Sequence, residues 1–409
     1  MSIDANLPWP TYERRTEELV AELVRNGQVF DYSGRAPVTE LEARFSDIHD
    51  GAYVISFNSG TSALFALLAA LGIGDGDDVL VPNLTFLASA SPLLWLGANP
   101  ILVDSHTWEP SIAPEAIERT LTPQTRAVIV THLFGNPVDM DRISRICASR
   151  KILLIEDCSH AHASHIAGRP VGTQGDGAIF SIGAGKMISG GHGGLLVTKD
   201  SVVRDLALMI GHFKPRTREG ILNAEFQPYA EFALGGNLRL SPIAATLALD
   251  HLERLPDLSR DRRRNVEVLN GAFDGLLRAV TVDPPRVNGT YFDVVYRLRC
   301  DVPTSTRDVI VSELQAAGVA VTPPATRPLN RVLHGVAAGA MTLKNTYLQR
   351  LNAFARTAPL DIDLPCSTDQ HDRMLSFPAG HLYRSDLTFA AELVRRARPV
   401  LHQSLGSPS

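Results

Sequence analysis

The sequence predicts an α/β fold in which a three-layer domain with a mainly parallel β-sheet is followed by a smaller α+β domain. Seven short apolar segments alternate with helix-length segments between about residues 53 and 210. Most of these segments are continuously apolar, which is typical of strands buried on both faces of a sheet. The chain has 409 residues and is therefore too long for one average domain.

The predicted elements of the first domain follow one another closely. Pro114 suits an early position of helix 114–120, and Asp139 can cap helix 139–149. The other predicted helices are residues 61–71 and 88–96. The predicted strands are residues 53–57, 78–82, 100–104, 127–132, 152–157, 178–182 and 194–198. Such an alternation indicates a sheet with helices on both faces.

The second domain is predicted from a change of character near Pro256. Residues 237–255 have the pattern of a long helix that begins at Ser241-Pro242, and the Arg-rich residues 260–264 are expected to form an exposed helix face. Later strands such as residues 291–300 alternate in polarity. We therefore predict a large domain and a small C-terminal domain, at residues 1–255 and 256–409.

Composition and charge limit the classes of function. Hydrophobic residues make up 44% of the chain and charged residues 20%, which favours a large core over disorder. The formal net charge is −5 with both signs mixed, so no electrostatic footprint for nucleic acid is present. The cysteines are widely spaced, the N-terminus has no apolar signal segment, and no apolar segment reaches the ~20 residues of a membrane span. These features predict a soluble cytoplasmic protein with neither a nucleic-acid nor a membrane partner.

The most informative residues lie at the ends of two predicted strands. Asp157 ends the apolar segment 152–157, and a later strand ends near Ser181 and leads through a Gly-rich turn into Lys186. Pyridoxal phosphate (PLP) chemistry needs this pair, because a lysine amine condenses with the cofactor aldehyde while a carboxylate keeps the pyridine nitrogen protonated. The alternative is that Lys186 is only a solvated loop charge, and the motifs below argue against it.

Two further strand ends could contribute to a cofactor site. Ser59-Gly60-Thr61-Ser62 lies at a strand-to-helix junction, where main-chain N–H groups and hydroxyls can bind a phosphate. An ordinary N-cap is the alternative there, and the two interpretations are compatible. Phe86 follows another strand. It either stacks on the pyridine ring or is a core residue that opens the next helix, and both interpretations remain open.

Residues beyond Asp157 offer a zinc alternative. His160 and His162 would share one face of an extended strand, as two metal ligands could. Neither a helix-spaced pair nor a CxxC motif accompanies them, and we therefore expect no metal site. The candidate ligands in this interpretation are Cys158, His160, His162 and His165.

The order of the motifs resembles a known family, the DegT/DnrJ/StrS sugar and cyclitol aminotransferases, which are PLP enzymes of fold type I. The similarity is clear over about residues 30–260. It implies an aspartate-aminotransferase-like large domain. The motifs that carry it are Ser-Gly-Thr-Ser-Ala-Leu from Ser59, Val-Pro-Asn-Leu-Thr-Phe ending at Phe86, Glu-Asp-Cys-Ser-His-Ala-His from Glu156, Phe-Ser-(x)4-Lys ending at Lys186, and Gly-Gly-Asn-Leu-Arg-Leu from Gly235.

The resemblance implies a role for each matching residue. Lys186 would bind the cofactor covalently and Asp157 would contact the pyridine nitrogen. Phe86 would stack on the ring, and Asn237 would reach the cofactor phosphate of a neighbouring subunit, which implies a homodimer with shared active sites. The residues that would bind the phosphate within one subunit are Gly60, Thr61, Ser62 and Ser181.

Two positions depart from the family pattern. Many members have Gln where this chain has His160, near the phenolic oxygen of the cofactor, and an imidazole N–H could donate there instead. Many also have an acid where His192 stands. Lys186 is retained, which argues against the dehydratase branch of the family that has His in its place.

The function implied by the resemblance is transamination in a biosynthetic pathway of amino sugars, aminocyclitols or secondary metabolites. L-Glutamate or L-glutamine would donate the amino group to a keto sugar nucleotide or a keto-cyclitol, and loops 213–226 and 326–333 would contact the acceptor. A PLP-dependent dehydratase or aromatising lyase of the same family is one alternative. A PLP-binding regulatory protein is another, although no helix-turn-helix segment or basic patch is visible in the sequence.

Overall fold

A seven-stranded β-sheet forms the centre of the larger part of the molecule. The computed structural model describes residues 9–280, 287–337, 345–377, 382–383 and 385–406. The strands of the central sheet, in the order β1-β9-β8-β5-β4-β2-β3, are bounded as follows: β1 Tyr53–Phe57, β2 Asp78–Pro82, β3 Asn99–Val103, β4 Thr125–Thr131, β5 Leu153–Asp157, β8 Gly177–Ser181 and β9 Gly194–Thr198.

The sheet is mainly parallel, as predicted. β9 is the exception, because it pairs antiparallel with both of its neighbours, β1 and β8. Between β5 and β8 the chain makes a small hairpin of two further strands, β6 His165–Ile166 and β7 Arg169–Pro170. All seven predicted strands are present, with ends that differ by no more than two residues from the prediction.

Helices cover both faces of this sheet. Leu80 and Val128 belong to one cluster of buried apolar residues, whereas their neighbours Val79 and Ala127 belong to another. Because successive strand side chains point to opposite faces, the two clusters lie on opposite sides of the sheet and give three layers. The helices are α1 Arg14–Arg25, α2 Val38–Asp47, α3 Gly60–Ala70, α4 Ser91–Leu96, α5 Pro114–Thr120, α6 Met140–Arg150, α7 Ser201–Gly211 and α8 Arg216–Gly220.

One predicted helix of this domain is interrupted. Instead of one helix over residues 88–96, the chain forms a short 3-10 helix, Leu87–Ser89, followed by α4. Pro92 lies in the first turn of α4. A proline has no N–H with which to continue the preceding helix, and α4 therefore begins as a separate helix.

The long helix α9, Pro242–Phe273, corrects the sequence analysis in two respects. It begins at the predicted Ser241 cap but runs for 32 residues straight through Pro256, and so the predicted end at residue 255 is wrong. Buried leucines lie on both sides of the proline, and packing offsets its local cost of about 3 kcal/mol. Arg262, predicted to be exposed, is completely buried.

The C-terminal part has its own apolar cluster, to which the second half of α9 contributes Val266, Leu269 and Phe273. It contains a three-stranded antiparallel sheet with the strands in the order β10 (Arg278–Ala279), β12 (Val294–Arg297) and β13 (Met374–Phe377). A further strand, β11 (Val287–Asn288), pairs with β6 of the β6–β7 hairpin. The domain boundary stays a prediction. The elements are β10 Arg278–Ala279, β11 Val287–Asn288, β12 Val294–Arg297, α10 Thr306–Ala316, α11 Leu329–Ala337, α12 Thr346–Thr357, α13 Pro365–Arg373, β13 Met374–Phe377 and α14 Thr388–Leu405.

Within the described residues, we find no helix that combines the length and the apolar character required to cross a membrane.

Candidate active site

A cavity of about 420 Å³ opens where β5 and β8 end, beside the first turn of α3. Ligands of parallel α/β sheets commonly bind at this edge, beyond the carboxyl ends of the strands. The cavity brings together most of the residues that the sequence analysis selected. Those that line it are Gly60, Thr61, Phe86, Asp157, His160, Ser181 and Lys186.

Asp157 is the last residue of β5 and its carboxylate is fixed from two sides. Oδ2 accepts a hydrogen bond from the Ser89 hydroxyl at 2.8 Å, and Oδ1 accepts one from the main-chain N–H of Ser159 at 3.0 Å. The side chain is buried, with 6% of its surface exposed, and it also lines the cavity. An oriented carboxylate of this kind can bind a protonated ring nitrogen.

Lys186 follows β8 and its amine is enclosed in the cavity. Burial lowers its pKa from 10.5 to about 8, although the negative charges of Asp157 and Asp293 act in the opposite direction. Nζ lies 4.2 Å from the centre of the Phe292 ring. A substantial fraction of this amine is therefore neutral, and nucleophilic, at slightly alkaline pH.

The first turn of α3 provides a place for an anion. Ser59 is the N-cap as predicted, and its hydroxyl accepts the N–H of Ser62 at 3.0 Å. Gly60 allows a close approach to β8, since a Cβ at Gly60 would lie 3.0 Å from the Cβ of Ser181. The first N–H groups of a helix have no partner within it and can bind phosphate oxygens. The Ser62 hydroxyl donates to Asn58 instead, at 2.7 Å, and Ser62 does not line the cavity.

His160 lies deep in the site between Phe134 and Phe292. Its ring stacks on that of Phe292 with the centroids 4.0 Å apart, and its Nδ1 accepts the N–H of Phe134 at 3.3 Å. Burial lowers the pKa of His160 well below its ordinary value, and the charge of Lys186 lowers it further. The ring is therefore neutral. Because Nδ1 accepts, the proton lies on Nε2, which can donate to a ligand.

Phe86 resolves one of the alternatives left open by the sequence. Its side chain is 65% exposed and lines the cavity, and so the interpretation as a core residue is wrong. His192 also lines the cavity, at the turn that precedes β9. Its neighbour Gly193 has φ +143°, where a Cβ would meet Ile182 and Leu240 at 2.6 Å. The turn that places His192 therefore requires glycine.

The C-terminal part supplies residues that the sequence analysis missed. Phe292 and Asp293 line the cavity just before β12, and Ala325 and Thr326 line it from another loop. Thr326 lies in segment 326–333, which was expected to be a loop that contacts the acceptor, but from Leu329 onward this segment is part of α11. No residue of segment 213–226 lines the described cavity. Burial raises the pKa of Asp293, although Arg262 and Lys186 act against this. No periodic or motif signal in the sequence distinguished Phe292 or Asp293.

Asn237 lies outside this cavity in the single chain. It is exposed, and its Oδ1 accepts hydrogen bonds from Arg239 Nε and Nη2 at 3.1 and 2.9 Å. The Arg239 guanidinium packs against the rings of both Tyr32 and Phe213, 4.1 and 4.4 Å from their centroids. The predicted contact of Asn237 with a second subunit stays a prediction.

The potential metal ligands near the site are a different set from the one considered in the sequence. Within the described residues, the side chains of His132, Glu156 and Cys158 are close enough to hold an ion. His132 Nδ1 accepts the N–H of Val138 at 2.9 Å, and so Nε2 carries the proton and donates to Glu156 at 3.1 Å. Neither ring nitrogen keeps a free lone pair for a metal.

The residues of the cavity fit PLP. A carboxylate, an amine of lowered pKa and a helix N-terminus surround one space. They match a pyridine nitrogen, an aldehyde and a phosphate respectively. The close approach of Gly60 to Ser181 leaves no room for a larger residue beside the helix N-terminus, which is consistent with a narrow phosphate cradle.

The chain is similar to known proteins over much of its length. The L-glutamine:scyllo-inosose aminotransferase of Streptomyces griseus is 30% identical over 96% of this chain and 93% of its own length. The GDP-perosamine synthase of Escherichia coli O157:H7 is 35% identical, over 59% of this chain and 64% of its own length. A Streptococcus pneumoniae protein solved in a PLP form has a TM-score of 0.80 at 22% identity, covering 98% of this chain and 100% of that one.

The family assignment rests on nearly the whole chain. A sequence model of the DegT/DnrJ/EryC1/StrS aminotransferase family matches residues 10–380. The resemblance seen in the motifs is thereby confirmed, and with it the PLP cofactor of this family. The structural similarity confirms the fold. The chain belongs to the DegT/DnrJ/EryC1/StrS aminotransferase family, and it is a PLP-dependent aminotransferase.

Proposed function

We propose that the protein transfers an amino group from L-glutamate or L-glutamine to a keto sugar nucleotide or a keto-cyclitol in a biosynthetic pathway. The observation that carries the proposal is the meeting of Lys186 and Asp157 in one cavity with the N-terminus of α3. Relatives named as a scyllo-inosose aminotransferase and as a GDP-perosamine synthase support the choice of acceptors.

Each residue would have a separate task. When bound, PLP supplies an aldehyde that exchanges for an amine and a ring that withdraws electrons from the substrate carbon. The main-chain N–H groups of Gly60 and Thr61 would bind its phosphate, with the Ser181 hydroxyl beside them. Asp157 would hold the ring nitrogen in its protonated form, and His160 Nε2 would donate to the phenolic oxygen.

Lys186 would also move a proton in the course of the reaction. Its amine would act as a base that takes a proton from the substrate carbon and then as an acid that gives the proton up again. A pKa of about 8 suits a group that must be both base and acid near neutral pH. Phe292, 4.2 Å from Nζ, shields the amine from water on one side.

A single-turnover experiment tests this function. Enzyme loaded with pyridoxamine phosphate is mixed with a panel of keto-cyclitols and keto sugar nucleotides, and the absorbance and the products are followed. We expect one class of acceptor to be aminated while the cofactor returns to its aldehyde form. A dehydrated product that carries no new amino group would identify the dehydratase alternative instead.

We also propose that the enzyme is a cytoplasmic homodimer with shared active sites. Asn237 is exposed beside a segment with unusually exposed apolar residues, since Phe232 is 83% and Leu234 65% exposed. Exposed apolar residues in one contiguous segment favour an interface. With a two-fold axis, the Asn237 of each subunit would contact the cofactor phosphate in the other subunit, so that both sites would have the same contact.

Mixing two inactive variants tests the shared site. Lys186→Ala and Asn237→Asp should each be inactive alone, and they should regain partial activity once subunits have exchanged. A mixed dimer then has one site that combines an intact Lys186 with an intact Asn237 from the other chain. Absence of recovery after confirmed exchange, or a fully active monomer by sedimentation, would contradict the shared site.

A further inference from the structure

The loop that carries Lys186 is held from outside the cavity by the N-terminal segment. Trp9 Nε1 donates a hydrogen bond to the carbonyl oxygen of Lys186 at 3.2 Å. The Tyr12 hydroxyl donates to the carbonyl oxygen of Ser189 at 3.2 Å, and His251 Nδ1 accepts the N–H of Ser189 at 3.0 Å. Both ends of the segment from Lys186 to Ser189 are therefore attached to residues that do not line the cavity.

The residues that hold the loop form a continuous stack. The Tyr12 and His251 rings are 4.8 Å apart, the His251 and Trp9 rings 5.0 Å, and the Trp9 and Tyr383 rings 3.9 Å, with interplanar angles below 20° throughout. The guanidinium of Arg262 lies 4.4 Å from the centre of the Tyr383 ring. Stacked aromatic rings attract one another, and a cation is attracted to the face of an aromatic ring. These attractions hold the members of the stack in place.

The far end of the stack leads back to the amine of Lys186. Arg262 donates from Nη2 to the carbonyl oxygen of Tyr291 and, at 2.8 Å, to that of Phe292. The ring of Phe292 lies under Lys186 Nζ and against His160. Trp9, within the stack, therefore holds the main chain of Lys186, and Arg262, at the end of the stack, holds the main chain of Phe292, whose ring lies beneath the amine.

We propose that Trp9 and Arg262 are positioning residues for Lys186. Together they fix the position of its amine and limit the access of water to it. The proposal rests on the role of Lys186 in the proposed function. Neither residue lines the cavity, and both act through others: Trp9 through the Lys186 carbonyl and Arg262 through Phe292. If either contact is weakened, the loop or the ring moves and the amine becomes better solvated.

The direction of the effect follows from the state of Lys186. Burial keeps its pKa near 8 instead of 10.5. Greater access of water favours the charged ammonium and therefore raises the pKa toward 10.5. A purely structural role for Trp9 or Arg262 would lower stability and leave this pKa unchanged.

The test compares Trp9→Phe with a matched control, Trp95→Phe. The first variant keeps an aromatic ring in the stack but removes the indole N–H, whereas Trp95 is 46% exposed and does not line the cavity. The pKa of Lys186 is measured in the full-length apo-protein, from the pH dependence of its acetylation followed by peptide mass spectrometry. The turnover number and the KM for the amino donor are measured in the holoenzyme.

We expect Trp9→Phe to raise the pKa of Lys186 and to lower kcat about 3- to 10-fold, the effect of one lost hydrogen bond, with KM little changed. Arg262→Met should raise the pKa as well, and Arg262→Lys should have a smaller effect because a charge over Tyr383 is kept. Trp95→Phe should behave as the wild type.

The pKa measurement also separates this proposal from the proposed function, because acetylation of the apo-protein requires no catalysis. If Lys186 titrates in Trp9→Phe as it does in the wild type, the stack is only structural and the proposal is wrong. Trp9→Phe alone decides the outcome if replacement of the buried Arg262 prevents folding. An enzyme inactive with every acceptor, but with the expected rise in pKa, would count against the proposed function only.

Discussion

Two adjacent carboxylates on β5, Glu156 and Asp157, have opposite environments. Glu156 is completely buried and its two oxygens accept four hydrogen bonds, at 2.7 to 3.1 Å. Asp157 accepts two from the protein and turns toward the cavity. The donors to Glu156 are His132 Nε2 and the main-chain N–H groups of Gly172, Gln174 and Gly175.

The difference shows that two neighbouring acids at one strand end can have separate roles, one in stabilising the fold and one in binding a ligand. Successive strand side chains point to opposite faces, and so only one of two neighbouring acids can face the cavity. The acid whose bonds are all supplied by the protein stabilises the fold, whereas the acid with free acceptor capacity can bind a ligand. We therefore expect replacement of Glu156 to affect folding and replacement of Asp157 to affect turnover.

The largest effect is expected for Asp157→Asn. The amide keeps the shape of the side chain but cannot stabilise a protonated ring nitrogen by charge. We expect kcat to fall by at least about a thousandfold, which corresponds to ~4 kcal/mol in the barrier, with little change in stability. Steady-state kinetics on protein with confirmed PLP content is the measurement. Turnover near that of the wild type would mean that another acid performs this task.

The corresponding variant of the neighbouring acid, Glu156→Gln, should show the reverse pattern, with stability lost and turnover retained. Both carboxylate oxygens accept from N–H donors, and so an amide NH2 group must face donors wherever it points. We expect the free energy of unfolding to fall by about 3 to 5 kcal/mol, measured by chemical denaturation. The kcat of the folded holoenzyme should stay within about threefold of the wild type. A large loss of kcat without a loss of stability would contradict the distinction between the two acids.

The same acid predicts a dependence of stability on pH. Burial would raise the pKa of Glu156, but the bonds from His132 and the main chain outweigh it, and the pKa is lowered from 4.5. A lowered pKa means that the ionised form stabilises the fold above pH 4.5 and that this contribution is lost as the pH falls through the lower, folded-state value. Unfolding measured across the acid range should show a weaker loss in Glu156→Gln than in the wild type.

Asp293→Asn tests the contribution of the C-terminal part to the site. The negative charge of Asp293 raises the pKa of Lys186, and its removal should move that pKa below about 8. The acetylation profile of Lys186 in the apo-protein gives this shift directly. Its direction is opposite to that expected for Trp9→Phe. An unchanged or higher pKa would show that Asp293 does not act on the amine.

A second comparison, between the strand ends and the C-terminal part, explains which site residues could be predicted from the sequence. Asp157 and Lys186 follow apolar segments that mark buried strands, and parallel strands end at one edge, so that their meeting was predictable. Phe292 and Asp293 reach the site only through the packing of the C-terminal part on the sheet, which leaves no local pattern. Arg262 was placed on an exposed face because its neighbours are arginines, whereas tertiary packing buries it alone.

The smallest effect is expected for His160→Gln. The neutral imidazole can donate a hydrogen bond through Nε2, and a glutamine amide can donate from a similar position. We expect PLP affinity and kcat to stay within about tenfold of the wild type, because one neutral hydrogen bond is exchanged for another. Equilibrium titration with PLP and steady-state kinetics measure both. Stoichiometric zinc in the purified protein, with activity lost to a chelator, would instead favour a metal-ligand role for His160.

The most direct test of the account is to identify the lysine that binds the cofactor. Reduction of the holoenzyme with borohydride should fix PLP to a single peptide, and sequencing of that peptide by mass spectrometry should place it on Lys186. Lys186 is the one lysine among the described residues that line the cavity. Labelling of Lys186 alone is the result that we expect, and labelling of any other lysine would contradict the assignment of the active site.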